Sequence, residues 1–517
     1  MTTLITPLLF LFPLLAAEGK PVPKFPLGRE TTYVTGPLDK EGYIDYEIAL
    51  NERLGKGIVP EKNANVLLWR AWGPAPEGGK GMPAEFFKRL GIKEPPRGGD
   101  YFIGLRAFMA DHLKLNPDEF NAIYDQQGWA AQRPWTAKDY PHLAAWLKAN
   151  EKPLALVIEA TGRSDYYNPL IRPRTEKGRG LLVGALLPNV QKCRELTAAL
   201  ACRAMRRVAE GKFDAAWQDL LACHRLGRHV ARGATLIEAL VGIAIEQIAC
   251  NADLAYLERA GLTTEQIQKC LKELQALPSM PSMADKIDLG ERMVYLDTVQ
   301  HLRRNGPGAL DDPPAKEPDP AELRALVSIY VPALRNGNRW YDRIAAALRH
   351  KDRAEREKEL DKIEKELAAL KKGVAGPGTL TKLRLGKDVP ETVGKAIGDV
   401  LMGLMMPAAR KVQNAADRAE QVGRNLHVAF VLAAYHREQG RYPAKLDELA
   451  PKYLKAVPND LFSAKALVYR PSRKGYLLYS VGVNGKDEGG RWYDDEPPGD
   501  DPRVRMPLPA LKRDKGR

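Results

Sequence analysis

Apolar residues recur at three- and four-residue steps along most of this chain, so the pattern predicts helices far more often than strands. Residues 187–277 predict two helical pairs: 190–210 with 213–230 around the turn Gly211-Lys212, then 235–260 with 264–277. Thr263 and Gln266 have the spacing of a capping box at the start of the last of these. Upstream, 43–53 and 65–71 read as short helices, and 153–160 fits a helix or a buried strand equally well. Helical text returns over 320–349 after a proline-rich linker at 306–320. Residues 351–372 then place Leu360, Ile363, Leu367 and Leu370 at a/d spacing, one arm of a protruding hairpin whose return arm is 393–422. The period changes near the end. A helix bearing Leu426, Phe430, Leu432 and Tyr435 closes at Gln439-Gly440, and Pro443 prevents its continuation. A short helix at 446–449 and two β-prone runs, 466–470 and 476–481, follow; five linking residues with Pro471 and Gly475 suit a hairpin. The expected fold is mainly α, built of helical hairpins, with a small C-terminal α+β domain. The expected divisions are 18–150, 151–300, 301–420, 421–505 and a basic tail at 506–517.

Composition changes this picture little. The 517 residues carry a net charge of +14, which invites a nucleic-acid reading, but the surplus is dispersed and no RNA- or DNA-binding motif accompanies Arg203, Arg206 and Arg207. A solvated basic face is expected there, and no nucleic-acid partner. Residues 4–17 form an apolar run of signal-peptide length, with Leu15-Ala16-Ala17 offering cleavage before Glu18. Export to the periplasm, cell envelope or beyond is therefore expected, with no other segment long and apolar enough to cross a membrane.

The five cysteines all lie in the helical block. Cys202 and Cys223 flank one interhelical turn symmetrically, and Cys250 and Cys270 flank the other. Two disulfides across the hairpins are one reading in an oxidising compartment; five small residues buried between close-packed helices are the other. Trp69, Trp72, Trp129, Trp135 and Trp146 pose a similar choice, between lining a groove and anchoring the core. No nucleophile elbow, phosphate loop, zinc helix or dinucleotide fingerprint is present, and no two histidines have metal spacing. No catalytic residue is singled out.

Two stretches bear family resemblances. The helices around Gly211, with Ala216, Leu220 and Cys223 in packing positions, resemble a single tetratricopeptide-type hairpin, without a second copy. More specific is the order Tyr435, Gly440-Arg441-Tyr442-Pro443, Leu446, Leu449, Tyr453-Leu454, Pro458-Asn459-Asp460, Leu478-Tyr479-Ser480-Val481-Gly482 and Asn484-Gly485. It resembles the globular domain of the major (G-type) pseudopilin of type II secretion systems. The resemblance implies a calcium ion in the loop after the last of these strands. There Asp487, Glu488, Asp494, Asp495, Glu496, Asp500 and Asp501 cluster, with Asp487, Asp494 and Asp495 the expected ligands.

Two departures limit the analogy. Leu461-Phe462-Ser463 stands where the family usually has Pro, an aromatic and Gly, and the helix before the module carries Arg410, Lys411, Asp417, Arg418, Glu420 and Arg424 instead of an apolar polymerisation segment. Residues 233–245 also match the pilin-processing motif, but mid-chain, where cleavage would discard more than a third of the protein; the match is taken as coincidence. The expected role is non-catalytic, an exported envelope or secretion-associated structural or binding protein that meets a protein partner. The alternative is an exported hydrolase with a site in the Trp-rich N-terminal region.

Overall fold

The computed structural model describes residues 21–76, 81–175, 178–306, 327–374, 389–405 and 409–511. The expected signal segment at 1–17, most of the linker at 306–320 and the end of the basic tail lie outside the described residues.

The first half is a set of helices. They are α1 (Tyr46–Gly55), α2 (Ala64–Trp72), α3 (Ala84–Leu90), α4 (Phe120–Ala130), α5 (Pro141–Ala149) and α6 (Glu151–Thr161). The ambiguous apolar run at 153–160 is therefore helical. The antiparallel hairpins are α7 (Pro188–Ala209) with α8 (Phe213–Ala231) and α9 (Leu236–Arg259) with α10 (Thr264–Gln275). Gly211 takes the left-handed conformation (φ +72°) that turns α7 into α8. α8 and α9 lie so close that a Cβ on Gly242 would sit 2.5 Å from the Gly227 carbonyl oxygen and 2.7 Å from Ala231 Cβ.

α9 is the central helix. It packs against α7, α8 and the long C-terminal helix Ala409–Gln439. By length and composition it could cross a membrane, which corrects the expectation that nothing beyond the N-terminus could; 61% of its most apolar stretch is buried in the fold. The pilin-like text at its start has a local use. Thr235 and Glu238 form its capping box, and the buried Glu238 carboxylate also accepts from Asn168 Nδ2 at 2.8 Å.

The second half adds α11 (Arg292–Asn305), α12 (Val327–Leu348), α13 (Arg353–Val374), α14 (Val389–Met405) and α15 (Ala409–Gln439). The expected protruding hairpin does not protrude. α13 packs on both α12 and α14, burying Leu360 and Ile363, while Arg410 of α15 pairs with Glu357, Asp361 (2.5 Å each) and Glu364 (3.2 Å) of α13.

Two cores result. One joins residues of α2 to α10 with the C-terminal module, from Leu426 to Met506. The other joins Phe25, Tyr43 and Leu50 of the N-terminal region with α11 to α14. α15 runs through both: Ala409 and Val412 lie in the second core, Leu426 to Tyr435 in the first. The helix expected to begin near 426 thus begins a good four turns earlier, and the passage from one core to the other falls within it, between Val412 and Leu426.

The sheet is antiparallel, β1 (Val468–Ser472), β2 (Gly475–Tyr479) and β3 (Arg503–Met506), with β2 central. The turn is tighter than expected, two residues between the paired Ser472 and Gly475. Pro471 is tolerated because β1 is an edge strand. β3 was not foreseen; its alternation of buried Val504 and Met506 with outward Arg503 and Arg505 is the signal that marks it.

Candidate metal centre

The acidic loop between β2 and β3 is shaped by its own hydrogen bonds. Asp487, an expected calcium ligand, accepts from the Tyr479 hydroxyl (2.8 Å) and the Gly489 amide (2.9 Å). Asp495 accepts from the Trp492 amide at 2.9 Å and is in close ionic contact with Arg503, which also reaches Asp494 at 3.5 Å. A guanidinium therefore stands where a cation on Asp494 and Asp495 would have to sit, and like charges repel. The three expected ligands do not converge.

A different trio does. Ligand oxygens of Glu488, Asp500 and Asp501 lie within 4.8 Å of one another. The backbone folds tightly around them: the Glu488 and Gly490 amides donate to Asp501 Oδ2 (3.0 and 2.8 Å), the Asp500 amide to Glu488 Oε2 (2.6 Å), and the Asn484 amide to Asp500 Oδ2 (3.1 Å). Room for this comes from two glycines. A Cβ on Gly482 would fall 2.6 Å from Asp500 Oδ1, and one on Gly499 2.8 Å from Glu488 Oε2. Two oxygens, Asp500 Oδ1 and Asp501 Oδ1, are buried without any hydrogen-bond partner, an arrangement that costs free energy unless a donor or cation fills it. Burial, with Glu488 and Asp487 nearby, pushes the Asp501 carboxyl up to about 6 and the Asp500 carboxyl upward as well. Hard oxygen donors of this kind suit calcium, which takes six to eight oxygen ligands. The residues fit the ion.

Asp460, in the Pro-Asn-Asp stretch, is a buried hub. Its carboxylate accepts from Ser480 Oγ (2.8 Å), the Val481 amide (3.0 Å), the Phe462 amide (2.8 Å) and Ser463 Oγ (3.0 Å). The divergent Leu461-Phe462-Ser463 loop is thereby held to the end of β2.

A second set of ligand-type residues lies between α8 and α9. His224 is buried between two carboxylates, Nδ1 2.9 Å from Glu246 and Nε2 2.8 Å from Asp253, and Arg228 reaches Glu246 at 2.6 Å. Burial works against the charged imidazole, but the two carboxylates win and raise it to about 10. Glu246 is opposed by burial and drawn down to about 2 by His224 and Arg228. Two cations thus balance two anions, and both ring nitrogens are taken. Cys250 is close enough to complete a His-Glu-Cys trio, but both ring nitrogens of His224 are already paired with carboxylates, so this cluster reads as an ionic core element and not as a metal site.

The remaining sequence candidates are structural. All five cysteines are free, buried thiols; Cys202 Sγ faces the Gln127 carbonyl (3.4 Å) and Cys223 Sγ the Thr197 carbonyl (3.8 Å), so neither Cys202–Cys223 nor Cys250–Cys270 is bridged. Trp69, Trp72, Trp135 and Trp146 are buried, with Trp135 Nε1 donating to the Cys202 carbonyl (2.9 Å) and Trp146 Nε1 to that of Ile103 (2.7 Å). These four line no groove; Trp129 is half-buried. Arg203 and Arg207, expected on a solvated basic face, turn inward to the fully buried Asp219, at 2.6 Å each. No family model, curated protein or solved structure matches this chain.

Proposed function

We propose that this chain is an exported, non-catalytic protein of the cell envelope or secretion apparatus, whose pseudopilin-like C-terminal module is closed by calcium and meets a protein partner. The observation that carries the reading is the Glu488, Asp500 and Asp501 trio with its two buried, unpartnered oxygens. A metal that neutralises them ties the long loop to β2 and β3 and sets the surface beside them. The long helix, short turn and antiparallel strands follow the order in which the pseudopilin resemblance was read. For the partner, α9 offers Ile237 and Leu240 on its outer side, 55% and 37% exposed, apolar area of the kind partners cover. The alternative, an exported hydrolase with a site in the Trp-rich N-terminal region, is favoured by an acidic cleft beside Trp129 or Trp135; Trp135 is buried and Trp129 half-buried.

The test is made on the full chain, produced from its own first residue in a bacterium with two membranes. The expected product begins at Glu18 and is recovered outside the cytoplasm, and it binds calcium by isothermal titration. An uncleaved cytoplasmic chain would overturn export; a silent titration would overturn the calcium-closed module.

A further inference from the structure

A cavity of about 400 Å³ opens where the C-terminal ends of α6, α8 and α10 meet. α8 turns one face toward it, Arg225, Arg228, His229 and Arg232, at the three- and four-residue spacing that aligns side chains on a helix. Arg163 and Glu273 complete its polar lining.

Part of this charge answers the fold itself. Helix C-termini carry about half a negative charge each, and most of these arginines bond carbonyls around the cavity. Arg163 donates to the Pro60 and Asn63 carbonyls (2.9 and 3.0 Å), Arg232 to Ser164 (2.7 Å), and Arg228 to Pro278 (2.8 Å) as well as to Glu246. Glu273 accepts from Trp217 Nε1 at 2.5 Å. Two groups are not explained this way. Arg225, half-buried, makes no hydrogen bond or ion pair among the described residues. His229 is 5% exposed, and its Nδ1 is buried with no partner. Its ring faces the Thr161 carbonyl through Nε2 at 3.4 Å, with the Arg163 backbone also beside it; with the proton on Nε2, Nδ1 keeps a lone pair that asks for a donor. Burial and the neighbouring Arg232 keep this imidazole neutral.

A ligand that satisfies both groups brings an oxyanion to Arg225 and an O–H to His229. Guanidinium forks match phosphate oxygens two at a time, and Arg163, Arg225 and Arg232 lack carboxylate partners, so a dianion is favoured over a monoanion. The volume admits a compact molecule only. We propose that this cavity binds a small organic phosphomonoester carrying hydroxyl groups. This inference is independent of the calcium-closed module, which lies in another part of the fold.

The test is isothermal titration of the full chain, at low ionic strength, with glycerol phosphate, inorganic phosphate and glycerol as probes. Glycerol phosphate should bind saturably, inorganic phosphate more weakly, and glycerol not at all. Arg225→Gln should weaken the ester by about tenfold or more, equivalent to about 1.4 kcal/mol. Its unliganded melting point should not move, because Arg225 holds nothing in the fold; Arg225→Lys, which keeps charge without the fork, should fall between. No saturable heat from either phosphate, or equal affinity in Arg225→Gln, would overturn the site. Inorganic phosphate binding as tightly as the ester would overturn the role given to the hydroxyl, and an unfolded Arg225→Gln would show the side chain to be structural.

Discussion

Single residues decide most of the chemistry here, and their ionisation gives it a pH signature. His224 is raised from 6.5 to about 10, so its contribution is complete below its ordinary value and is lost as pH climbs through about 10. Glu246 is lowered from 4.5 to about 2, so its contribution is present above its ordinary value and fades as pH falls through about 2. Replacing His224 by Gln leaves Asp253 buried without its cation, a change of the kind that costs about 3–5 kcal/mol. Chemical denaturation should record that loss at neutral pH, with the gap from the parent narrowing as pH approaches 10. Asp501 behaves oppositely to Glu246. Its carboxyl is raised from 3.8 to about 6, so the metal-free chain loses stability as pH rises through that value, and calcium affinity should rise over the same interval as the proton is displaced. Calorimetric calcium titrations at pH values on either side of 6 check this. The cysteines give a simpler expectation: alkylation without reductant should label none of the five in the native chain and all five once it is unfolded. Little of this was legible in sequence. The spacing of Cys202 and Cys223 about a turn was real, but side-chain direction, not spacing, decides whether sulfurs meet.

At the scale of elements the sequence was more informative, because helix signals are local. The pairs around Gly211 and Ala260, the Thr263 capping box and the 446–449 turn fall where periodicity and caps put them. Strand β3 escaped because four residues of alternation in a charged, proline-flanked stretch carry little weight before a partner strand is known. The meeting of Glu488, Asp500 and Asp501 was hidden from the sequence in the same way. Nothing local says that Gly482 and Gly499 make room for Asp500 and Glu488 across the loop. Close helix contacts also yield a prediction. Gly242→Leu would drive side-chain atoms into the Gly227 carbonyl and Ala231, and overpacking of this sort costs about 1–3 kcal/mol. The same change at Gly423, whose Cβ would meet nothing within 4 Å, should cost far less. Urea titration of the two variants distinguishes the positions.

The whole molecule is tied together by α15. Because that helix buries Phe430 against Trp217 (ring centroids 6.0 Å apart) and runs on into the sheet's core, the C-terminal module is continuous with the helical hairpins. A fragment starting near residue 421 would expose the face of α15 that packs on α9 and α10, and should not melt cooperatively alone. The change of sequence period near that point falls inside one continuous helix, where α15 passes from one core to the other.

The most direct measurement is differential scanning calorimetry of the full chain, with calcium and with chelator, for the parent, Asp501→Asn and Asp487→Asn. Calcium should raise the melting temperature of the parent and of Asp487→Asn, since a ligand that binds only the folded state stabilises it, and should leave Asp501→Asn unmoved. A parent indifferent to calcium, or a shift kept in Asp501→Asn and lost in Asp487→Asn, would contradict the Glu488, Asp500 and Asp501 site.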